Sequence, residues 1–301
     1  MIFISMEPYT VDVSPRDNVV GDIALYIFES RDGLILVEAG PSNGLDRLRR
    51  FLAKKGYTLR DIKHILLTHI HLDHGGGAGY IVEENPDVKV YVHPRGAQHL
   101  VDPGKLWKSS RDTIGEVADI YGKPIPVPED AIVTPEDGVL IDIGGYRFRF
   151  IYTPGHATHH MSIHSIDSGI LFTGDSAGLY HGGTVIPTTP PPHNVEKSLE
   201  SIRKMTRLHP RKIGFTHYGV AEDGLEWLHR YEVIYRKWVR LVEEAYRAGR
   251  GIEEVYQYLQ STDLSVAIQE RFFRERGYGE AEILLSLYGI YSYFRWLDER
   301  A

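Results

Sequence analysis

The chain has 301 residues, 42% hydrophobic and 25% charged, with 34 Lys and Arg against 41 Asp and Glu for a formal charge of −7. This is the composition of an ordinary globular protein of one large or two smaller domains, and the acidic balance disfavours a general nucleic-acid binder, which needs a basic footprint. Cysteine is absent, which excludes disulfides, thiol nucleophiles and thiolate metal sites, so any metal must be held by His, Asp, Glu or water.

The N-terminal stretch MIFISMEPYT is too short in apolar residues for a signal peptide, and no run of about 18 apolar residues occurs. A cytoplasmic protein with no membrane partner is expected. The lack of Cys, the four Met and the many Arg, Glu and Tyr suit a thermophilic habitat.

Two apolar runs, NVVGDIALYIFES and LILVEAG, flank Arg31-Asp32-Gly33, a hairpin signal. Leu45, Leu48, Phe51 and Leu52 then recur at helical spacing up to Gly56. HILLT (64–68) reads as a buried strand that feeds into THIHLDHGGG, and VKVYV (88–92) as the next strand. Alternating strands and helices predict an α/β fold with a sheet buried on both faces. Residues 95–130 show little periodicity and several prolines, the pattern of an irregular lid insertion. Strands resume with GVLIDIGGYRFRFIYT, MSIHSI and GILFTGD; a helix over 194–209 precedes a last strand over 212–216.

From about residue 222 the texture changes. Leu228, Tyr231, Tyr235, Trp238, Leu241, Val242 and Ala245 mark one face of a long helix, and 282–297 is apolar almost all round. With 15 of the 33 aromatics, residues 222–301 read as a helical subdomain on a catalytic domain spanning 1–221. Its apolar faces must pack over that domain or in a homo-oligomer contact.

Four strands end in metal-binding residue types. HILLT leads to His69, His71, Asp73 and His74, YRFRFIYT to His156, GILFTG to Asp175 and KIGFT to His217. In open α/β folds ligands gather at the carboxyl ends of strands. Imidazoles with carboxylates suit Zn, Mn or Fe, and seven donors exceed one ion's needs but fit two ions sharing a carboxylate. Gly75–Gly77 would let the backbone turn sharply beside the ions and let substrate approach. Tyr180, soon after Asp175, is a candidate donor to a developing oxyanion.

These motifs, in this order, resemble the metallo-β-lactamase superfamily over roughly residues 18–220. The resemblance implies a four-layer αβ/βα sandwich, here with a C-terminal helical extension. It assigns His69, His71 and His156 to a first metal, Asp73, His74 and His217 to a second, and Asp175 to a bridge. Within the superfamily, VHPRGAQHLVDPGKL and PTTPPPHN are similar to the glyoxalase II and lactonase group. Glu38 stands where many members carry an Asp that supports a ligand.

The expected function is a binuclear metal-dependent hydrolase, most readily with two Zn ions, that uses a metal-bridging hydroxide on a small ester-like substrate (thioester, lactone or phosphoester). Asp73 is the candidate proton carrier. The alternative is a mononuclear-iron oxidoreductase of the same fold, similar to sulfur dioxygenases.

Overall fold

The computed structural model describes residues 7–300; positions 1–6, on which the reading of the N-terminus partly rests, lie outside the described residues. The first half contains β1 (Tyr9–Asp12), β2 (Ala24–Glu29), β3 (Leu34–Val37), α1 (Leu45–Lys55), β4 (Ile62–Leu66), α2 (Leu72–Gly75), α3 (Ala78–Glu84), β5 (Lys89–Tyr91), α4 (Pro94–Val101), α5 (Gly104–Ile114), α6 (Glu116–Tyr121) and β6 (Ile132–Val133). Its six strands form one sheet in the order β1-β2-β3-β4-β5-β6. The β2–β3 turn is the expected Asp-Gly hairpin: Ser30 N–H donates to Gly33 O at 2.8 Å, and Gly33 has a positive φ of 143°.

The second half adds β7 (Leu140–Ile143), β8 (Tyr146–Tyr152), β9 (Met161–Ser165), β10 (Ile170–Phe172), β11 (Leu179–His181), β12 (Thr184–Ile186), α7 (Val195–Thr206), β13 (Lys212–Phe215) and β14 (Gly219–Glu222). A second six-stranded sheet runs β14-β13-β10-β9-β8-β7, and β11 pairs with β12 as a separate hairpin. Four helices close the chain: α8 (Gly224–Arg247), α9 (Ile252–Thr262), α10 (Leu264–Glu275) and α11 (Ala281–Asp298). Among the described residues no helix is long and apolar enough to cross a membrane.

Strand alternation builds the layers. Ala24, Tyr26 and Phe28 of β2 face Phe148, Phe150 and Phe172 across the gap between the sheets. Their neighbours Leu25 and Ile27 point the other way, into a core with Leu45, Leu48 and Leu52 of α1. The second sheet repeats the scheme, its outer residues Leu171, Ile213 and Phe215 sharing a core with α7 and with Tyr231, Tyr235 and Trp238 of α8. The result is the four-layer αβ/βα sandwich. The C-terminal helices bury their apolar faces within the chain: Leu259, Ile283, Leu287 and Ile290 belong to the same core as α8.

The segment 95–130 departs from expectation. It is largely helical, as α4, α5 and α6, because Pro94 and Pro103 open helices instead of interrupting them. Proline's fixed φ and missing N–H fit a first turn. Helix α5 buries none of its residues, so its apolar side chains serve a partly open surface.

Candidate metal centre

All seven expected ligands meet at the edge where strands of both sheets end. Beyond β4, Thr68 and His69 lead into His71, the residue capping α2, whose first turn then carries Asp73 and His74. His156 follows β8, Asp175 follows β10, and His217 follows β13. Two supports fix the second-half loops. Gly155, at φ 142°, lies where a Cβ would come within 2.1 Å of Ser198 Oγ on α7, and Gly174, at φ 50°, is backed by Thr68 and His160. Only glycine fits either place.

The donors fall into two groups, one of His69, His71, His156 and Asp175 and one of Asp73, His74 and His217, each with ligand atoms within 4.8 Å of one another. In the first, His71 Nδ1 lies 3.0 Å from both His69 Nε2 and His156 Nε2, and Asp175 Oδ2 lies 3.3 Å from His156 Nε2 and 3.9 Å from His69 Nε2. In the second, Asp73 Oδ2 is 3.2 Å from His217 Nε2 and 3.5 Å from His74 Nε2. Asp175 serves both groups, because its other oxygen, Oδ1, is 3.3 Å from His74 Nε2 and 3.8 Å from His217 Nε2. A tetrahedral ion with bonds of about 2.0–2.1 Å has donor–donor edges of about 3.3 Å. The observed spacings bracket that edge.

Hydrogen bonds behind the rings fix their tautomers. His74 Nδ1–H donates to Glu38 Oε1 at 3.0 Å, His156 Nδ1–H to Thr188 O at 3.0 Å, and His217 Nδ1–H to Asp22 O at 2.9 Å. His69 Nδ1 lies 3.1 Å from the Thr68 hydroxyl, which itself donates to Glu38. Each partner holds the proton on Nδ1 and leaves the Nε2 lone pair aimed inward. Glu38 is the hub. Buried, with a positive φ of 70°, it also accepts from Thr68 N–H at 3.2 Å and from the Thr216 hydroxyl at 3.2 Å.

Electrostatics point the same way. Burial, reinforced by neighbouring imidazoles, pushes His71 down to about 3 and His69 well below its ordinary value. Both are neutral and fit to ligate. Burial would depress His74 and His217 too, but the carboxylates outweigh it, raising His74 well above normal and His217 to about 9. Asp73, which burial alone would raise, is held at about 2 by His74 and His217. Convergent lone pairs and carboxylates thus attract positive charge, which a metal ion satisfies in place of protons. Apart from each other, at 3.3 Å, the buried His74 Nε2 and Asp175 Oδ1 have no hydrogen-bond partner among the described residues. The residues present fit a metal.

Other expectations find different places. Gly75–Gly77 do not face the site: Gly76 and Gly77 have helical backbone, and added Cβ atoms would strike Leu72 O and Ala39 O. They let α2 and α3 pack closely on the segment after β3. Tyr180 stacks on Phe215 with ring centroids 4.8 Å apart and meets Trp227 edge-on, away from the residues that line the cavity. Two further histidines serve as supports: His160 sits behind Asp175, accepting its backbone N–H at 3.2 Å. His93 caps α4 by accepting from Arg95 N–H at 3.0 Å.

A cavity of about 350 Å³ opens onto His71, Asp73, His156 and Asp175. Ile70, Leu72, Leu106, Ile114, Val117, Ala157, Pro190, Pro191, Pro192 and Leu285 give it apolar walls; His99, Lys105, Tyr121, His159 and Glu282 are among its polar groups. Tyr121 and Glu282 belong to no spaced motif, so sequence reasoning misses them; His159 lies three residues after His156 in TPGHATHH, but nothing in that spacing assigns it a role.

The profile of the "Metallo-beta-lactamase superfamily" matches residues 19–217. The chain belongs to this superfamily. Among its relatives is the "Metallo-beta-lactamase fold-containing protein ST1585" of Sulfurisphaera tokodaii, 33% identical over 221 residues, which are 72% of this chain and 80% of the relative. The crystal structure of ST1585 superposes with a TM-score of 0.68 at 27% identity, covering 94% of this chain and 98% of that one. A Thermus thermophilus metallo-beta-lactamase family protein, TTHA1429, superposes at 0.65 with 22% identity over 90% and 94% of the two chains, a likeness of fold. An "Atrochrysone carboxyl ACP thioesterase" of Aspergillus fumigatus is 28% identical over 165 residues, 55% of this chain, which spans only 41% of that longer protein. Members of the superfamily are mostly hydrolases and usually bind divalent metals.

Proposed function

We propose that this protein is a binuclear metal-dependent hydrolase of carboxylic esters or thioesters with a largely apolar acyl part. The observation that carries the reading is the division of Asp175 between two donor groups, one oxygen toward each. His69, His71 and His156 would hold one ion and Asp73, His74 and His217 the other, zinc being the metal that best suits these donors. Such a pair supplies Lewis acidity and brings the pKa of water toward neutrality.

The chain's own residues do the rest. Asp73 is the ligand carboxylate with the larger exposure at the cavity, 14% for its side chain against 6% for Asp175. It is placed to accept the proton of an attacking water and return it to the leaving group. The apolar walls exclude water and hold an acyl chain, with α4–α6 acting as a lid and the helices of 222–301 closing the opposite side. Relatives named thioesterases favour carboxylic over phosphoric esters. The protein is expected to act in the cytoplasm of a heat-adapted cell.

Elemental analysis of the purified protein should give close to two ions per chain, and an acyl-thioester and ester panel should show turnover that chelation abolishes. Asp175→Ala should lower both occupancy and turnover. One ion per chain, unchanged in that variant, would refute the binuclear reading.

A further inference from the structure

The family profile ends at residue 217, yet one wall of the cavity comes from α11, far beyond it. Helix α11 is pinned to the loop that carries Thr188. Thr189 N–H donates to Ser286 Oγ at 3.3 Å, and the Thr189 hydroxyl donates to Ser286 O at 2.7 Å. At Gly289 an added Cβ would lie 1.7 Å from Thr189 O, so no larger residue permits this approach. Residues 282, 286 and 289 share one face of a helix. Clamping Ser286 and Gly289 therefore fixes Glu282 on the cavity side.

Glu282 makes no hydrogen bond or ion pair with any described residue. The other cavity carboxylates, Asp73 and Asp175, are each ringed by imidazoles. Glu282 lines the same cavity as Asp73 and Asp175, and the charged groups that bear on it are His217, Asp22, Asp73 and Asp175. The Tyr121 hydroxyl feels Asp73 and Glu282 as well. Its side chain is half-buried and open to the cavity, so a ligand that enters meets a carboxylate with no partner among the described residues.

We infer that Glu282 is a specificity-determining carboxylate, receiving a hydrogen-bond-donating or cationic group of the substrate near the scissile carbonyl and rejecting an anionic group there. Tyr121, which lines the same cavity, offers a second polar contact. The substrate class is then a hydroxy-, amido- or amino-substituted carboxylic ester or thioester with an apolar remainder, and half-esters of dicarboxylic acids are disfavoured. The inference rests on the hydrolase reading for the word substrate; the binding preference stands apart from it.

The test uses the full-length, metal-replete protein and three matched alkyl hydroxamates ending in a methyl, a hydroxyl or a carboxylate. Their affinities are measured by calorimetry in alkaline buffer, above the value of about 7 to which burial pushes Glu282. The wild type should bind the carboxylate compound roughly tenfold more weakly than the methyl compound, through like-charge repulsion. Glu282→Gln should remove that penalty, leave methyl binding within about twofold and keep the metal content unchanged. Tyr121→Phe should weaken the hydroxyl compound alone. Equal binding of methyl and carboxylate compounds by the wild type would overturn the assignment, and needs no variant to fold. So would a Glu282→Gln protein that weakens all three alike or loses metal. Discrimination without turnover of any ester would refute the hydrolase reading and support this one; turnover without discrimination would do the reverse.

Discussion

Glu38 offers a severe test of how the centre is built, because it belongs to neither donor group yet orients the candidate ligand His74. Its Oε1 receives His74 Nδ1–H at 3.0 Å, and its Oε2 receives Thr68 N–H at 3.2 Å. Glu38→Gln keeps the shape but turns one oxygen into an N–H donor. Whichever way the amide lies, a donor faces a donor, either His74 Nδ1–H or Thr68 N–H. One buried donor left unpaired costs about 1–3 kcal/mol. Losing the partner of a ligating imidazole lowers metal affinity about 10- to 100-fold, or about 1.4–2.7 kcal/mol. The loss should fall on the group containing His74. Competition against a chromophoric chelator would resolve one weakened and one intact binding step. At a fixed excess of metal, the stabilisation given by the weaker step should shrink by about the same 1.4–2.7 kcal/mol, readable in thermal unfolding with and without metal. Glu38→Asp separates charge from reach, since it keeps the carboxylate but withdraws it by about 1.5 Å. If both variants bind two ions with wild-type affinities, the hydrogen bond to His74 is incidental and the account of the second group fails.

Asp73→Asn should reduce kcat about 10²- to 10⁴-fold with a smaller change in KM, because proton transfer belongs to the transition state; steady-state kinetics at constant metal occupancy would show an equal loss in both if Asp73 only binds. The metal-free protein should lose stability as the pH falls. Burial holds His71 and His193 at about 3, below the ordinary imidazole value near 6.5, so the unfolded chain takes up their protons first, from about pH 6.5 down to about 3. His217, raised to about 9 by Asp73 and Asp175 against the effect of burial, contributes fully below about pH 6.5 and loses that contribution as the pH rises through about 9. Calorimetric unfolding of chelator-stripped protein should therefore trace a dome, and a flat profile over the acid limb would contradict the buried neutral histidines.

The layers and the cluster of candidate ligands are legible in the sequence for different reasons. Strands such as LILV announce themselves as short apolar runs and long helices by the period of their apolar face, and metal chemistry demands particular side chains at strand ends. Residues 95–130 mislead because prolines at helix starts look like breaks, although Leu106, Ile114 and Val117 of the helices they open or precede line the cavity. The glycines after His74 stand out by composition but suggest the wrong cause, since close packing against Ala39 leaves no mark distinct from a sharp turn. Tyr180 is not among the residues that line the cavity, because nearness in sequence to Asp175 says nothing of which way a ring points. Here Phe215 and Trp227 claim it.

What no local pattern could reveal is how the C-terminal region reaches the candidate metal ligands. His156 is oriented by the Thr188 carbonyl, and the next residue, Thr189, is clamped to Ser286 of α11. His217 is oriented by the Asp22 carbonyl, and the Asp22 side chain accepts from the Tyr278 hydroxyl at 3.1 Å. Arg276 adds a bond to Val20 O at 2.7 Å in the same loop. One ligand from each donor group is thus aligned by a main-chain carbonyl whose loop the helices hold in place. Main-chain acceptors can be supplied by any residue type, so selection for this alignment acts on the clamp and not on the residue that makes the bond. That is why the dependence of the centre on residues beyond 222 becomes visible only when both ends of the chain are seen together.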